Sequence, residues 1–348
     1  MQSRYDCAVQ NKSLSNFLFL IAAMVLIMAV IGAATRLTES GLSIVEWKPI
    51  SGAIPPMTEM DWQQEFQTYQ SSPQFQKVNQ HMTLAEFKNI FWWEWVHRQW
   101  GRLIGLVYAA GLVWFWLRKQ IPVNYKKPLI GLLLLGGAQG LMGWLMVKSG
   151  LVDDPAVSHY RLAAHLFLAV LIYIWALWLA ISIRRGLRQI ALEKPKMTPL
   201  QKHSIATLCV VLLTVIWGAF VAGLDAGLLY NTWPSMDGYF SPPDFWHLSP
   251  AWLNFFENHG AVQFIHRMLA YLAVLMCIAI GVMTFVRKIP AARTGYAIAA
   301  MGILQVLLGI ITLLTQVHLH VAVTHQAGAF VLIGLLVMWL QQLRHRSP

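Results

Sequence analysis

Eight apolar runs, each long enough to cross a lipid bilayer, dominate the chain. They cover about residues 17–35, 97–117, 128–147, 162–183, 205–224, 262–286, 295–315 and 321–341. A helix needs roughly 20 apolar residues to span the hydrocarbon, where no water is available to hydrogen-bond an open backbone. The runs therefore predict an all-α integral membrane protein with eight transmembrane helices. Only 12% of the 348 residues are charged, against roughly 25% in an ordinary soluble domain. The first run is too long for a signal-peptide core and no clear small-residue cleavage site follows it, so it is expected to stay as the first span.

The net charge of +11 raises the question of nucleic acid, and its distribution answers it. With the N-terminus placed inside, the inner segments hold most of the Lys and Arg, from Arg4 and Lys12 through Arg184, Arg185, Arg188, Lys194 and Lys196 to Arg344 and Arg346. Only Asp6 and Glu193 oppose them there. The loop 225–260 contains no Lys or Arg. Such a bias places both termini on the cytoplasmic side, and no nucleic-acid partner is expected. The three cysteines, Cys7, Cys209 and Cys277, form neither a CxxC nor an outer-loop pair, so disulfides and Cys-ligated clusters are not expected.

The chain also repeats itself. "WEWVHRQWGRLIGL" (93–106) aligns with "VQFIHRMLAYLAVL" (262–275), and "YRLAAHLFLAVLI" (160–172) with "HVAVTHQAGAFVLI" (320–333). "GAATRLTESGLSIVEWKPISG" (32–52) aligns with "GAFVAGLDAGLLYNTWPSMDG" (218–238), pairing Gly41 with Gly227 and Trp47 with Trp233; further on, Gln139 can be laid on Gln305. Four spans per half is an even number, so both halves enter the membrane in the same direction. Two parallel-repeat four-helix bundles are expected, residues 1–190 and 191–348, divided near the basic linker 184–203. The long outer loops 36–93 and 225–260 are rich in Pro and Trp; an interfacial aromatic belt and a lid over a site both account for that.

The repeat brings four histidines into register: His97, His165, His266 and His325. Two apolar helices offering one imidazole each can clamp a flat metal macrocycle, and neutral imidazole is a common ligand of haem iron. A duplicated pair therefore points to two haem sites. A small residue follows each histidine by four positions, on the same face: Gly101, Ala169, Ala270 and Ala329. Arg98 and Arg267 come directly after their histidines, with Arg102 and Arg161 nearby. They suit propionate pairing, and they suit snorkelling to the interface. Glu94, three residues before His97, breaks the symmetry, because its counterpart is Gln263. If one half does chemistry and the other holds a cofactor, the first half is the chemical one. His159, His318 and His320 carry no separate assignment.

The "ExxHR" at 94–98, "GLLYNTWP" at 227–234, "FIHR" at 264–267 and "THQAGA" at 324–329 together resemble the haem A synthase family, over residues 17 to 341. The resemblance implies an eight-helix membrane oxidoreductase. It converts the C8 methyl of haem O to the formyl of haem A by successive hydroxylations, for cytochrome oxidase. It further implies haem b on His266 and His325, substrate haem O on His97 and His165, and Glu94 as the essential carboxylate. The cysteine pair of some family members is missing, which places the chain with the cysteine-free branch. The lack of an Arg/Ser-rich presequence favours a bacterial inner membrane. Expected partners are haem O, membrane lipid, the haem O synthase and cytochrome oxidase assembly factors; a homo-oligomer is compatible. The rival reading is a bis-histidine b-type cytochrome that carries electrons and leaves its haems unchanged.

Overall fold

Each apolar run folds as a long helix, because within a bilayer a single helix satisfies its backbone groups inside its own segment. The computed structural model describes residues 2–48, 51–152, 155–186, 197–289 and 292–344, and of residues 2–11 the backbone only. In chain order, α1 (Gln2–Leu37) is followed by two short helices, α2 (Glu59–Gln70) and α3 (Pro73–Lys77). Then come α4 (Leu84–Leu117), α5 (Val123–Ser149), α6 (His159–Arg184), α7 (Pro199–Gly223), α8 (His259–Val286), α9 (Ala292–Leu314) and α10 (Leu319–Arg344). Eight of these, all but α2 and α3, are long and apolar enough to cross a membrane. No β-strand occurs among the described residues. The protein is a multi-pass membrane protein.

The expected division at 190/191 and the charges at 188, 193, 194, 196 and 346 lie outside the described residues, as do the side chains of Arg4, Asp6 and Cys7. In the first four spans, α1 packs on α6 and α4, and α5 on α6; in the last four, α8 packs on α7 and α9, and α9 on α10. Contacts of α6 with α7, and of α10 with α1 and α6, join the two groups. One core runs through both: Leu18, Ala176 and Ile183 belong to the same buried cluster as Ile280, Leu336 and Trp339. Polar side chains add links within it. Gln341 donates to Ser182 Oγ at 2.8 Å and Gln326 to the Ala29 carbonyl at 2.8 Å.

The two groups differ in tightness. Between α8 and α9, added methyls would lie 2.8 Å from Ala299 at Gly281 and 2.7 Å from Cys277 at Gly302. Small residues there let the backbones approach closely. The α4–α5 contact is much thinner, and Gly105, Gly136, Gly137 and Gly140 meet no atom within 4 Å.

The second span begins earlier than its apolar run. Thr83 caps α4 in a capping box with Glu86, so the helix starts at Leu84 rather than near 97. The extension carries polar residues that an apolar-run criterion rejects, yet the Thr-x-x-Glu signal for its start is in the sequence. The segment 36–93 is likewise more than a loop. Helices α2 and α3 pack on the start of α4 around Trp62, Tyr69, Phe87 and Phe91, a small core of its own. Tyr69 and Phe87 are fully buried while Trp92 and Trp93 are exposed, so only part of the aromatic content is available to an interface belt.

Candidate functional site

Each of the four histidines lies against a glycine of a neighbouring helix. A methyl added at Gly32 of α1 would sit 2.9 Å from His97 Cε1, and one at Gly143 of α5 would sit 3.0 Å from His165 Cε1. The second half repeats this: Gly218 of α7 would meet His266 at 3.0 Å, and Gly309 of α9 would meet His325 at 3.1 Å. A missing Cβ is what lets the edge of an imidazole come this close to a helix backbone. Within each half the two rings are in electrostatic range of one another, His97 with His165 and His266 with His325. All four are half-buried, so each keeps an accessible edge inside the bundle.

Arginine ties each site to the long loop above it. Arg98 Nη2 donates to the Ile44 carbonyl at 2.8 Å and Arg267 Nη2 to the Tyr230 carbonyl at 2.9 Å. Ile44 and Tyr230 each stand three residues before the tryptophans Trp47 and Trp233. Nη1 also repeats its partner, Glu46 O at 3.4 Å and Thr232 O at 3.1 Å. The charges differ. Arg98 forks onto Glu94 Oε1 through Nε at 3.0 Å and Nη2 at 2.6 Å. Glu94 Oε2 accepts from Ser43 Oγ at 2.7 Å and Ile44 N at 2.8 Å. Glu94 is thus a buried, fully hydrogen-bonded carboxylate paired with Arg98. Arg267 makes no hydrogen bond to a carboxylate; it donates to three carbonyls and to Gln263 Oε1, and its Nε is buried with no hydrogen-bond partner.

These residues fit a haem. His266 Nδ1 bonds to the Thr214 carbonyl at 3.0 Å, which makes Nδ1 the donor and leaves the Nε2 lone pair for iron. Arg267, 9% exposed with an orphaned Nε, is a buried cation suited to a propionate. Among the described residues no three His, Cys, Asp or Glu side chains gather as a bare-ion site; a pair of imidazoles suits a metal that brings its own equatorial ligands. The glutamines on α5 and α9 differ. Gln139 Nε2 lies 3.4 Å from His165 Nε2, whereas Gln305 donates to the His325 carbonyl at 2.9 Å.

All seven candidate residues therefore gather at the two histidine pairs. Arg161 turns elsewhere, donating to the Leu145 carbonyl at 2.6 Å, and His159 lies 3.6 Å from Glu257. His318 and His320 lie near one another with tilted rings, centroids 5.5 Å apart. Sequence reading missed the four glycines and Ser43. Gly32 and Gly218 open the two aligned segments, so the repeat already marked that pair.

Fold and site define a class: polytopic helical membrane proteins with duplicated in-membrane histidine pairs. The family model described as cytochrome oxidase assembly protein, COX15-CtaA, matches residues 15–337, and the chain belongs to that family. It is 46% identical over 344 residues to a heme A synthase from Rhodospirillum centenum, covering 97% of this chain and 90% of that one. It is 47% identical over 323 residues to the heme A synthase of Parvibaculum lavamentivorans (93% and 92% covered), and 44% over 339 residues to that of Maricaulis maris (94% and 95%).

Proposed function

We propose that this protein is a haem A synthase, a membrane oxidoreductase that converts haem O to haem A for cytochrome oxidase. Near-full-length likeness to curated heme A synthases supports the activity. The observation that supports the division of labour is the charge difference at matched positions: Glu94 pairs directly with Arg98, whereas Gln263 leaves Arg267 with no carboxylate in hydrogen-bond contact, Asp237 acting on it only through space. The second half, with His266 and His325, would hold haem b permanently, because its buried arginine needs an anion. The first half, with His97 and His165, would receive haem O. The two halves are read as parallel four-helix repeats, 1–190 and 191–348, in a bacterial inner membrane with both termini cytoplasmic.

Haem b, when bound, supplies redox capacity for the reaction. The chain's own residues do the rest. His97 and His165, seated on Gly32 and Gly143, fix the depth and tilt of the substrate plane. The loop held by Arg98 and Glu94 covers the site and limits water. Glu94, three residues before His97 on the same helical face and positioned by Arg98, would stabilise positive charge developing at the substrate methyl or take its proton. Two successive two-electron oxidations, each needing an external oxidant that haem b would connect to the site, would put two hydroxyls on the methyl carbon, and the geminal diol would lose water to give the formyl group.

The test is haem extraction and mass-resolved chromatography from a host that makes haem O but not haem A, with and without this protein. Haem A, or the hydroxymethyl intermediate, is the expected product, and Glu94→Ala should abolish it while haem b stays bound. Unchanged haem O beside a reducible bound haem would favour the b-type electron carrier.

A further inference from the structure

A cavity of about 220 Å3 lies between the loop that Arg98 holds, the middle of α4 and the end of α5, its Arg98 and Trp144 next in sequence to His97 and to the glycine that seats His165. Val45, Trp47, Arg98, Trp144 and Lys148 line it. Trp144 follows Gly143, the residue on which His165 lies. The two cations are not equivalent. Arg98 is spent: its charge is balanced by Glu94 at 2.6 Å and its donors reach Ile44 and Glu46 carbonyls. The contact recorded for Lys148 is with a π face, its Nζ lying 5.1 Å from the Trp144 ring centroid. The matching position of the second half carries no cation. Counting five residues on from Gly143 and from Gly309 gives Lys148 and Leu314.

We propose that this cavity receives a carboxylate of the planar substrate, with Lys148 as its counter-charge. The inference rests on the first half being the haem O site. It moves the substrate's anion contact from Arg98, the residue the sequence suggested, to Lys148. The reason is charge balance: a carboxylate brought to Arg98 would have to compete with Glu94, whereas Lys148 pairs with no carboxylate among the described residues and stands against the Trp144 indole. The same balance separates the halves. Arg267 is a buried cation for a group that stays, and Lys148 is an exposed one, where water competes and a bound carboxylate is readily released. That is the behaviour a substrate site requires.

The probe is ferric protoporphyrin IX and its dimethyl ester, titrated into the purified protein with its second site filled, in phosphatidylcholine nanodiscs, and followed by the bis-imidazole spectrum. Lys148→Leu should weaken binding of the free acid about ten-fold, the effect of one charge-assisted hydrogen bond of ~1.4 kcal/mol. It should leave the ester unchanged, and Lys148→Arg should restore acid binding. Retention of the second-half haem checks that each variant is folded, and Lys148→Gln replaces the leucine variant if that one fails. Equal affinities of wild type and Lys148→Leu for the acid would overturn the inference while leaving the histidine site intact. Loss that appears only with added phosphatidylglycerol, and equally for acid and ester, would assign Lys148 to a lipid headgroup and overturn it too. If the wild type takes up neither probe, or Ala at His97 changes nothing, the haem O site itself is misplaced and the inference falls with it.

Discussion

Glu94 and Gln263 reach matching points of two matching loops with opposite hydrogen-bond polarity. The Ile44 N–H donates to Glu94 at 2.8 Å, whereas Gln263 Nε2 donates to the Tyr230 carbonyl at 3.1 Å. Each is followed four residues on by an arginine that also holds its loop. One backbone design therefore carries a direct ion pair in the first half and, in the second, an arginine whose nearest interacting carboxylate, Asp237, makes no hydrogen bond to it.

Gln263→Glu tests that difference. The new carboxylate would pair with Arg267 and remove the charge offered to a propionate. It would also face the Tyr230 carbonyl without a proton to give. We expect haem retention in the second half to fall at least ten-fold, read as the rate of haem transfer to apomyoglobin. Gln263→Met, which keeps Arg267 charged, should lose less. Identical transfer rates for the two variants would count against the charge argument.

The glycines give a steric prediction. Gly218→Ala and Gly309→Ala place a methyl 3.0 and 3.1 Å from the rings of His266 and His325, in a site where the ring cannot retreat without losing its aim. Overpacking of this kind costs about 1–3 kcal/mol, and the expected readout is a lower haem-to-protein ratio with a shifted visible band. Gly140→Ala, which meets no atom within 4 Å, should bind haem normally. Because alanine is the better helix former, a loss confined to the first two variants cannot come from helix propensity.

Much of this arrangement is legible in the sequence, and the limits have physical causes. The spans are visible because hydrocarbon demands unbroken apolar length, and the histidines because the repeat puts them in register. The start of α4 is obscured by Glu86, Lys88 and Glu94 within it, although Thr83 and Glu86 spell its cap. The state of Glu94 is not legible. Its proximity to Arg98 is a matter of helical spacing, but its bonds to Ser43 and Ile44 come from a loop some fifty residues away. Nor does spacing reveal that Arg267 makes no hydrogen bond to a carboxylate among the described residues, with Asp237 acting on it only through space, since that depends on where the loop 225–260 folds back.

The module formed by α2, α3 and the start of α4 should loosen in alkali before the bundle does. Hydrogen bonds to Glu46 and Glu65 raise the Lys48 pKa above its usual 10.5, and burial raises that of the Tyr69 phenol above 10.0. For both, the folded value exceeds the unfolded one. Their contribution is complete below the unfolded pKa and is lost as pH rises through the folded one. Trp62, packed in the same cluster, should report the change by fluorescence in strongly alkaline buffer and stay constant near neutrality. Tyr69→Phe, which cannot ionise, should delay the onset. An onset that Tyr69→Phe leaves where it was would assign the transition to other groups.

Gln139 sets the last expectation. Its amide lies 3.4 Å from His165 Nε2, the nitrogen a metal would need, while the matching Gln305 turns to a backbone carbonyl at 2.9 Å. On the reading of the first half as the haem O site, a haem bound through His165 Nε2 would have to displace the amide, and the amide would return when it left. That competition lowers affinity and speeds exchange, as a substrate site needs and a cofactor site does not. Gln139→Leu keeps the side-chain bulk and removes the donor. It should tighten ferric protoporphyrin binding in the first half by several-fold, consistent with loss of one neutral hydrogen bond of about 1 kcal/mol, and slow product release. The second-half haem should be unaffected. Weaker binding in this variant would mean that the amide supports His165 rather than competing for it.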